Sequence, residues 1–424
     1  MKKIIITVML LISMLAFSAS FIEKYGHMNS SFTGRALALS GNDLFGASPE
    51  AVLFNPAFAL PEDGLKIIFG ANVLRLSEDR SFPAYSFFDN LIGYQTYVDN
   101  THYNEEIPLY AAKSFQFGEI TLGTSLSYLP VIEMNYTFYE EIRDITDPEP
   151  NKMAVNRYEI SGALNSFGLS LGVNFLENFH VGYTLGILSG ETTTLNSIEL
   201  TPYGEGVNPA PDPTRSDTST VALSGVMNVF GAGVNFKRFA LAASYRTIGD
   251  VAGKYDLWDS TGAKLAIDDA TLIYPPTLTV ALHYRPRSGI FSTMSLSYKK
   301  TMWSQFEADF EKDAQFYDTD EYSLGVEHIF DTGAIFRFGV FYRENYEIDN
   351  LAETGITLGT GFKFLERFSF DLGMEFLPVR YETMDLFPES AYDDFFDDTI
   401  TDRISPDKIQ DYRLKAAFTL GMNF

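Results

Sequence analysis

The segment Asp411–Phe424, DYRLKAAFTLGMNF, constrains the fold of this chain most strongly, because apolar and polar residues alternate along it. Every second position is apolar: Tyr412, Leu414, Ala416, Phe418, Leu420, Met422 and Phe424. A period of two indicates a β-strand with one apolar face and one polar face. The segment is long for an ordinary strand, which has about 5 to 6 residues, whereas a strand that crosses a bilayer needs about 9 to 11. We therefore predict a transmembrane barrel strand, with the last strand of a water-soluble β-sandwich as the alternative.

The beginning of the chain has the pattern of a secretory signal peptide. Lys2 and Lys3 precede an apolar run from Ile4 to Phe17, and small residues follow at positions 18–20. We predict that residues 1–20 are this signal peptide. The run is shorter than the roughly 20 residues of a typical spanning helix, and no later stretch approaches that length. A mature chain inserted in a membrane would therefore cross it as a β-barrel.

Composition narrows the possible partners and chemistry. The net charge of -25 argues against a nucleic-acid partner, since phosphates call for basic patches. The chain has no cysteine, so its stability must come from sheet hydrogen bonds and burial instead of disulfides. The five histidines are scattered, and the sequence contains neither a Gly-x-Ser-x-Gly elbow nor a His-Glu-x-x-His pair. We predict that the protein is not an enzyme and uses no cofactor.

Fourteen segments have the character of barrel strands: 64–76, 107–116, 119–129, 157–176, 179–190, 220–236, 239–248, 274–285, 290–301, 320–330, 334–345, 353–364, 368–379 and 411–424. Their connections alternate between short turns and longer loops, as an up-and-down meander between two compartments requires. We predict an all-β fold, a transmembrane antiparallel up-and-down barrel of about 14 strands over residues 64–424. Both ends of the barrel are expected on the periplasmic side.

Residues 21–63, ahead of the first strand, do not have a strand pattern. Ser48 is a candidate N-cap, Pro49 takes the first helical position, and Pro56 ends that helix. Apolar residues argue against a solvated tail: Leu37, Leu39, Val52, Leu53, Phe54 and Phe58. We predict a partly helical hatch that plugs the lumen, with a flexible tail as the alternative. Arg35 is a candidate for pairing with inward carboxylates such as Asp371 or Glu375.

Three stretches carry a resemblance to a known family: NSSFTGRALALSG, SPEAVLFNPAFAL and SLSYKKTMWSQFEADF. Together they resemble the FadL / OmpP1 / TodX transporters, whose N-terminal hatch matches at Arg35 and at Asn55, Pro56 and Ala57. The resemblance implies a fourteen-stranded bacterial outer-membrane barrel, a monomer surrounded by outer-membrane lipids and lipopolysaccharide. It also implies passive uptake of hydrophobic molecules, such as long-chain fatty acids or aromatic hydrocarbons, through a lateral opening.

The family's lateral opening arises from a kink in the third strand. Here the third predicted strand contains Gly123 in its interior and Pro130 at its end, residue types that weaken or end ladder pairing. We predict that these two residues form the lateral opening.

The loops of this chain depart from the family, which collects ligand between its third and fourth outer loops. The third loop is polar here, and the fourth offers mainly Trp258. The first loop is apolar, so we predict the ligand-binding surface there and include Trp258 with it: Phe82, Phe87, Phe88, Leu91 and Ile92. The alternative is a loop that packs its aromatic residues on the barrel rim.

Three functions are compatible with such a barrel: a transporter of hydrophobic compounds, a general porin, and a structural or adhesive barrel. An apolar plug favours the transporter, because a porin needs an open lumen. The acidic loop at residues 380–410 lacks the ligand spacing of an EF-hand. We therefore predict no metal.

Overall fold

The chain forms a closed barrel of 14 antiparallel strands, in which each strand pairs with the strands before and after it. The computed structural model describes residues 25–61, 64–88, 90–143, 152–175, 178–200, 214–258, 263–286, 291–309, 315–365, 367–392 and 405–424. The barrel strands are β1 (Leu65–Tyr85), β2 (Leu109–Phe117), β3 (Ile120–Glu133), β4 (Lys152–Phe175), β5 (Phe179–Leu200), β6 (Thr214–Asn235), β7 (Phe239–Ile248), β8 (Thr277–Tyr284), β9 (Phe291–Thr301), β10 (Thr319–Ile329), β11 (Ile335–Glu344), β12 (Ala352–Phe364), β13 (Phe368–Thr383) and β14 (Asp407–Asn423). The predicted fold class is confirmed.

Each predicted strand segment overlaps one barrel strand, but several strands are longer than predicted. β1 continues to Tyr85, past the predicted end at residue 76, and β5 continues to Leu200, past residue 190. Polar residues occupy both faces of these extensions. The alternation that identified the spanning part is therefore lost there.

Four further strands lie within segments that were predicted as long loops: Leu91–Glu106, Tyr136–Arg143, Val251–Trp258 and Lys264–Ile273. The first pairs with β1, the second with β4 and the third with β6, while the fourth pairs with the third. Two-residue strands occur at His27–Met28 and Glu307–Ala308. The four longer strands extend the barrel wall at the end that carries the long connections.

The helices of the described residues are short. They are α1 (Gly34–Ala38), α2 (Pro49–Phe54) and three 3₁₀ turns at Pro56–Phe58, Trp303–Gln305 and Glu389–Tyr392. None of them combines the length and the apolar composition that a helix needs to cross a membrane.

The two faces of the barrel wall have opposite character. Large apolar side chains are exposed on the outside, among them Leu126, Phe167, Leu171, Ile187, Phe230, Leu241, Val280, Leu296, Ile356 and Phe418. Small or polar residues alternate with them and are buried inside, among them Ser125, Ser166, Ser170, Thr184, Ala242, Ala281, Ser297 and Ala417. This arrangement is inverted relative to a water-soluble protein and is typical of a barrel surrounded by lipid.

The barrel closes between its last and first strands. Leu65 and Phe424 exchange two backbone hydrogen bonds, at 2.9 and 2.8 Å, and the ladder between β14 and β1 continues from there to Ser81. Gly64 precedes this junction with φ of 71°, and a Cβ on it would collide with the carbonyl of Phe424. Only glycine adopts this conformation at no steric cost in so small a space.

Residues 25–61, here called the N-terminal segment, lie inside the barrel. α1 packs on β13 and β14, where a Cβ on Gly34 would lie 2.7 Å from the carbonyl oxygens of Asp371 and Ala417. The Pro56–Phe58 turn contacts β4, β5 and β6 on the other side of the ring. The segment therefore crosses the lumen from wall to wall.

Candidate functional site

One buried carboxylate joins the two helices of the N-terminal segment. Thr33 caps α1 and Ser48 caps α2, and the predicted capping role of Ser48 before Pro49 is confirmed. Glu50 in the first turn of α2 accepts hydrogen bonds at Oε1 from the backbone nitrogens of Phe32 and Thr33, at 2.7 and 2.8 Å. Its Oε2 is buried and has no hydrogen-bond partner within the described residues.

Ion pairs connect the segment to the barrel wall. Arg35 on α1 lies 2.8 Å from Asp43 in the same segment and 3.1 Å from Glu327 of β10. Arg337 of β11 binds the same Glu327 at 2.6 Å and Asp371 of β13 at 2.7 Å. The inward carboxylate that pairs with Arg35 is thus Glu327 and not Asp371 or Glu375, the two examples that the sequence suggested. The network links α1 to the three strands β10, β11 and β13.

The Asn55-Pro56-Ala57 turn seats the segment against the opposite wall. The Nδ2 of Asn55 donates to the carbonyl oxygen of Leu44 at 3.0 Å, which ties the turn to the rest of the segment. Pro56 lies directly on the wall, where a Cβ on Gly231 of β6 would be 2.8 Å from it. All three turn residues are buried.

The barrel wall is interrupted beside β3. β2 pairs with β3 only as far as Leu109 and Tyr128. Beyond Ile107 and Pro108, the Leu91–Glu106 strand continues along β1, and its ladder partners are residues of β1. No ladder within the described residues joins this strand to the remainder of β3. The wall therefore has a seam between Glu106 and the end of β3.

Asn29 of the N-terminal segment bridges this seam. Its Nδ2 donates to Glu106 Oε1 at 2.8 Å and to the carbonyl oxygen of Pro130 at 2.9 Å, so one side chain holds both edges. Its backbone nitrogen donates to Val131 at 3.0 Å. Lys415 of β14 completes the group through bonds to Glu106 and Asn29. Sequence reasoning missed Asn29 as a site residue, although it begins the NSS stretch that carries the family resemblance.

The two predicted lateral-opening residues occupy different environments. Pro130 is at the seam, where the register between β3 and β4 shifts between Pro130 and Ile132. Gly123 lies nearer the beginning of β3, where the ladders to β2 and β4 are both regular. A Cβ on Gly123 would be 2.7 Å from Leu60 Cδ1. Gly123 therefore makes room for the N-terminal segment, whereas Pro130 borders the interruption.

The turn that follows β1 presents apolar side chains to solvent. The exposed fractions are 95% for Phe87, 79% for Phe88, 71% for Ile92 and 51% for Leu91. The rings of Phe87 and Phe88 touch, with centroids 5.5 Å apart. We call these four residues the apolar turn.

The other two predicted ligand-binding residues lie outside the apolar turn. Phe82 is half-buried on β1, and its ring packs against Tyr97 with centroids 5.8 Å apart. Trp258 ends a strand of a separate hairpin, and the Nζ of Lys264 lies 5.4 Å from its ring centroid. The structure thus brings together four of the six predicted residues.

An aromatic cluster that the sequence did not predict surrounds the beginning of the N-terminal segment. Trp303 stacks on Tyr346 with centroids 3.8 Å apart, and the ring of Tyr25 lies 4.7 Å from that of Phe306 and 5.3 Å from that of Phe316. The Trp-Ser-Gln-Phe stretch supplies two of these rings, Trp303 and Phe306. Their partners Tyr25 and Tyr346 are distant in the sequence. Their assembly depends on strand pairing that the pattern does not fix.

A cavity of about 460 Å³ lies between the N-terminal segment and the wall, at the end of the barrel with the short connections. Leu39 and Phe45 line it from the segment, and His283, Arg285 and Ile329 line it from β8 to β10. The sequence does not predict this cavity, because its two sides come from segments that are distant along the chain.

Comparison with protein-family models and with curated sequences gives no match. Solved structures do match. A Pseudomonas aeruginosa FadL homologue has a TM-score of 0.60 at 16% identity, covering 93% of this chain and 98% of that one. The P. putida toluene transporter TodX has a TM-score of 0.60 at 14% identity, covering 95% and 99%. The Ralstonia pickettii toluene transporter TbuX has a TM-score of 0.57 at 14% identity, covering 93% and 99%. This chain therefore has the fold of these proteins, as its sequence resemblance predicts.

The Glu50 carboxyl makes the N-terminal segment sensitive to pH. Burial and the nearby Asp43 carboxylate raise the pKa of Glu50 from 4.5 to about 7. Its protonated form is thus favoured in the fold, so its stabilising contribution is complete below pH 4.5 and is lost as the pH rises through about 7. Hydrogen exchange of the Phe32 and Thr33 amides, corrected for intrinsic rates, should accelerate as the pH rises from 4.5 to about 7 and should level off above that value.

The same measurement on Glu50→Gln should give no corrected change with pH, because the amide keeps an acceptor and cannot ionise. Glu119→Gln, at an exposed turn, is the matched control and should behave as the unmodified protein. A pH effect that survives in Glu50→Gln would contradict this assignment.

Proposed function

We propose that this protein is a bacterial outer-membrane channel for passive uptake of hydrophobic small molecules, such as long-chain fatty acids or aromatic hydrocarbons. The observation that carries the proposal is a lipid-type barrel whose lumen is crossed by a tightly packed segment while its wall is interrupted beside that segment. Structures with the same fold include two named as toluene transporters. An open porin would leave the lumen free.

In the proposed organisation, residues 1–20 are a signal peptide, residues 21–63 are the hatch and residues 64–424 are the membrane barrel. The signal peptide lies outside the described residues. A single chain supplies both barrel and hatch, so we propose a monomer with outer-membrane lipids and lipopolysaccharide around its apolar exterior.

The hatch is proposed to block water and ions. A fourteen-stranded lumen is wider than an eight-stranded one, which side chains alone can fill. The N-terminal segment supplies the missing volume with fully buried residues from both helices, among them Ala36, Leu37, Ala51, Val52 and Leu53. Its ion pairs to Glu327 and its contact with Gly231 hold it against two sides of the wall.

Deletion of residues 21–63, with the signal peptide retained, tests the plug. The shortened protein should form a folded, heat-modifiable barrel that conducts ions in planar bilayers far better than the intact protein. It should also lose saturable uptake of an apolar ligand. Equal conductance of the two forms would show that the segment is not a plug, and the proposed mechanism would fail with it.

The apolar turn is proposed to collect the ligand. Exposed apolar side chains that lie together normally mark a binding site, because soluble surfaces seldom retain them. Phe87 and Phe88 at the end of the β1 hairpin would offer the first apolar surface beyond the polar lipopolysaccharide. Burying such a ring in contact with ligand contributes on the order of 25 cal/mol per Å² of apolar area.

Changing Phe87, Phe88, Leu91 and Ile92 together to Ser tests this surface. Uptake of toluene or a fatty acid by intact cells should fall while the barrel remains folded. The matched variant with Leu at Phe87 and Phe88 keeps apolar contact and should retain most of the uptake. Unchanged uptake in the Ser variant would move the collecting role to another loop.

The seam beside β3 is proposed as the lateral exit. A molecule that leaves there enters the outer leaflet directly and avoids a water-filled path. In the described state the seam is closed, because Asn29 bonds to both of its edges and Pro130 is buried. Movement of the N-terminal segment would release both edges at once. This coupling links ligand entry into the hatch region to opening of the wall.

Asn29→Ala tests the proposed exit. Uptake of toluene should rise by up to about thirtyfold, since the two hydrogen bonds lost from Asn29 Nδ2 contribute about 1 kcal/mol each to closure. Ion conductance should stay low because the lumen remains filled. Asn42→Ala is the matched control, since Asn42 bonds to Ser323 and lies away from the seam. Equal uptake in Asn29→Ala and the unmodified protein would exclude Asn29 as a closure residue.

A further inference from the structure

The seam beside β3 continues beyond Pro130 toward the end of the barrel with the long connections. There the Leu91–Glu106 strand, which pairs with β1, lies beside the Tyr136–Arg143 strand, which pairs with β4. No ladder joins these two strands to each other within the described ranges. We call the stretch between them the outer seam.

Side chains close the outer seam in place of a ladder. The hydroxyl of Tyr136 donates to Glu78 Oε2 at 2.8 Å, and Arg80 Nη2 donates to the same hydroxyl at 3.2 Å. The guanidinium of Arg80 also lies 5.1 Å from the ring centroid of Phe138. Phe387, from the connection between β13 and β14, stacks on Phe138 with centroids 5.8 Å apart. The strand that carries Tyr136 is thus held by β1 and by this connection.

Glu140 brings a carboxyl group to the same contacts, and its side chain is buried. Its Oε2 accepts a hydrogen bond from Asn156 Nδ2 of β4 at 2.7 Å, on its own side of the seam. Asp385 and Asp407 act on it electrostatically from the other side. Asp385 Oδ1 accepts from the backbone nitrogen of Phe387 at 3.1 Å, and Asp407 begins β14 and is fully buried. Carboxyl groups from both sides therefore lie together at the outer seam.

The charges around Glu140 do not balance. Arg80 is already paired with Glu78 at 2.6 Å, and Asp411 lies opposite Glu78 in the ladder between β1 and β14. Within the described residues, the charged and titratable groups on the surrounding elements are Glu78 and Arg80 of β1, Tyr97 and His102 of the Leu91–Glu106 strand, Tyr136, Tyr381 of β13, Asp385, and Asp407, Asp411 and Arg413 of β14. Carboxyl groups outnumber guanidinium groups in this set. A negative charge on Glu140 is therefore unfavourable while the seam is closed.

The pKa of Glu140 reflects these surroundings. Burial raises this pKa from 4.5 to about 7, repulsion by Asp385 and Asp407 adds to the rise, and the Asn156 bond and Arg80 oppose it. Since the pKa is raised, the contribution of Glu140 to the closed form is complete below pH 4.5 and is lost as the pH rises to about 7. Glu140 lies outside the predicted spanning segments, at the end that we propose faces the cell exterior.

We propose that Glu140 is a pH-sensitive latch of the outer seam, closed while its carboxyl is protonated and released when the carboxylate ionises beside Asp385 and Asp407. Like charges repel more strongly in a buried site than in water, so ionisation pushes the two sides of the seam apart. The inference rests on the proposed lateral exit and adds control by external pH to it.

Two spin labels across the outer seam measure the latch directly, because the chain has no cysteine of its own. Asp99→Cys and Tyr139→Cys place one label on each side, at residues with exposed side chains. The distance between the labels is measured by pulsed electron paramagnetic resonance on the full-length protein in detergent. It should lengthen as the pH rises from 4.5 to about 7 and stay constant above that value.

Glu140→Gln keeps an acceptor for Asn156 and cannot ionise, so the label distance should stay short at every pH. Glu105→Gln, exposed on the strand across the seam, is the matched control and should behave as the unmodified protein. Glu50→Gln should also leave the shift in place, which separates this latch from the pH response of the N-terminal segment. A shift that survives in Glu140→Gln, or no shift in the unmodified protein, would overturn the proposal.

Asp385→Asn is a second, independent variant. It keeps an acceptor for the backbone nitrogen of Phe387 but removes one charge that repels Glu140. The transition in label distance should therefore move to lower pH, and an unmoved transition would contradict the latch. Heat-modifiable migration verifies that each variant folds.

Uptake of toluene by intact cells separates this inference from the proposed function. Toluene does not titrate, so pH acts on the protein, and cells with Glu140→Gln control for effects of pH on the cell. Uptake through the unmodified protein should rise by about tenfold or more over the transition, since one pKa unit corresponds to tenfold, and uptake through Glu140→Gln should stay low. Toluene uptake without a label shift would overturn the latch alone. A label shift with pH-independent uptake would leave the latch in place and overturn the seam as the exit.

Discussion

A wall surrounded by lipid must satisfy its backbone N–H and C=O groups within the protein, and the rest of this structure depends on that constraint. The ring of strands meets it by closing on itself, with Leu65 and Phe424 exchanging the hydrogen bonds that join the last strand to the first. Where β3 loses its neighbour beyond Tyr128, the N-terminal segment takes over. Met28 pairs with Ile132, and Asn29 binds the next carbonyl groups.

The interior follows from the same closure. A ring of this size leaves a lumen that the inward side chains do not fill, so a separate part of the chain occupies it. Close approach is possible because the wall carries glycine where the segment touches it, as Gly231 does under Pro56. Charged groups within the lumen are tolerated because they pair. Arg35, Glu327 and Arg337 form such a group between segment and wall.

These features place apolar and polar surfaces in an order that suits the proposed uptake. In the proposed path the ligand meets the apolar turn first, then the aromatic cluster around Tyr25 at the start of the N-terminal segment, and leaves through the seam into lipid. An apolar ligand moving between such surfaces stays out of water, so no energy source is needed beyond its own partitioning.

Much of the barrel could be predicted because alternation is a local property of the strands in contact with lipid. The strands at the end with the long connections, such as Leu91–Glu106, were missed because they do not carry one continuous apolar face. The hatch position was predicted from apolar residues that a solvated tail would not carry. The partner of Arg35 could not be predicted, because choosing among the inward carboxylates requires knowing which strands lie beside α1.

The sequence by itself determined the strand pattern, the closed ring that such strands require in lipid, and the buried helical segment ahead of them. Only the tertiary structure decided that Asn29 bridges the seam, that Trp303 stacks on Tyr346, and that Arg35 pairs with Glu327. Periodicity fixes which face of a strand a residue occupies. It does not fix which distant residue lies opposite, because that depends on the register and packing of the whole ring.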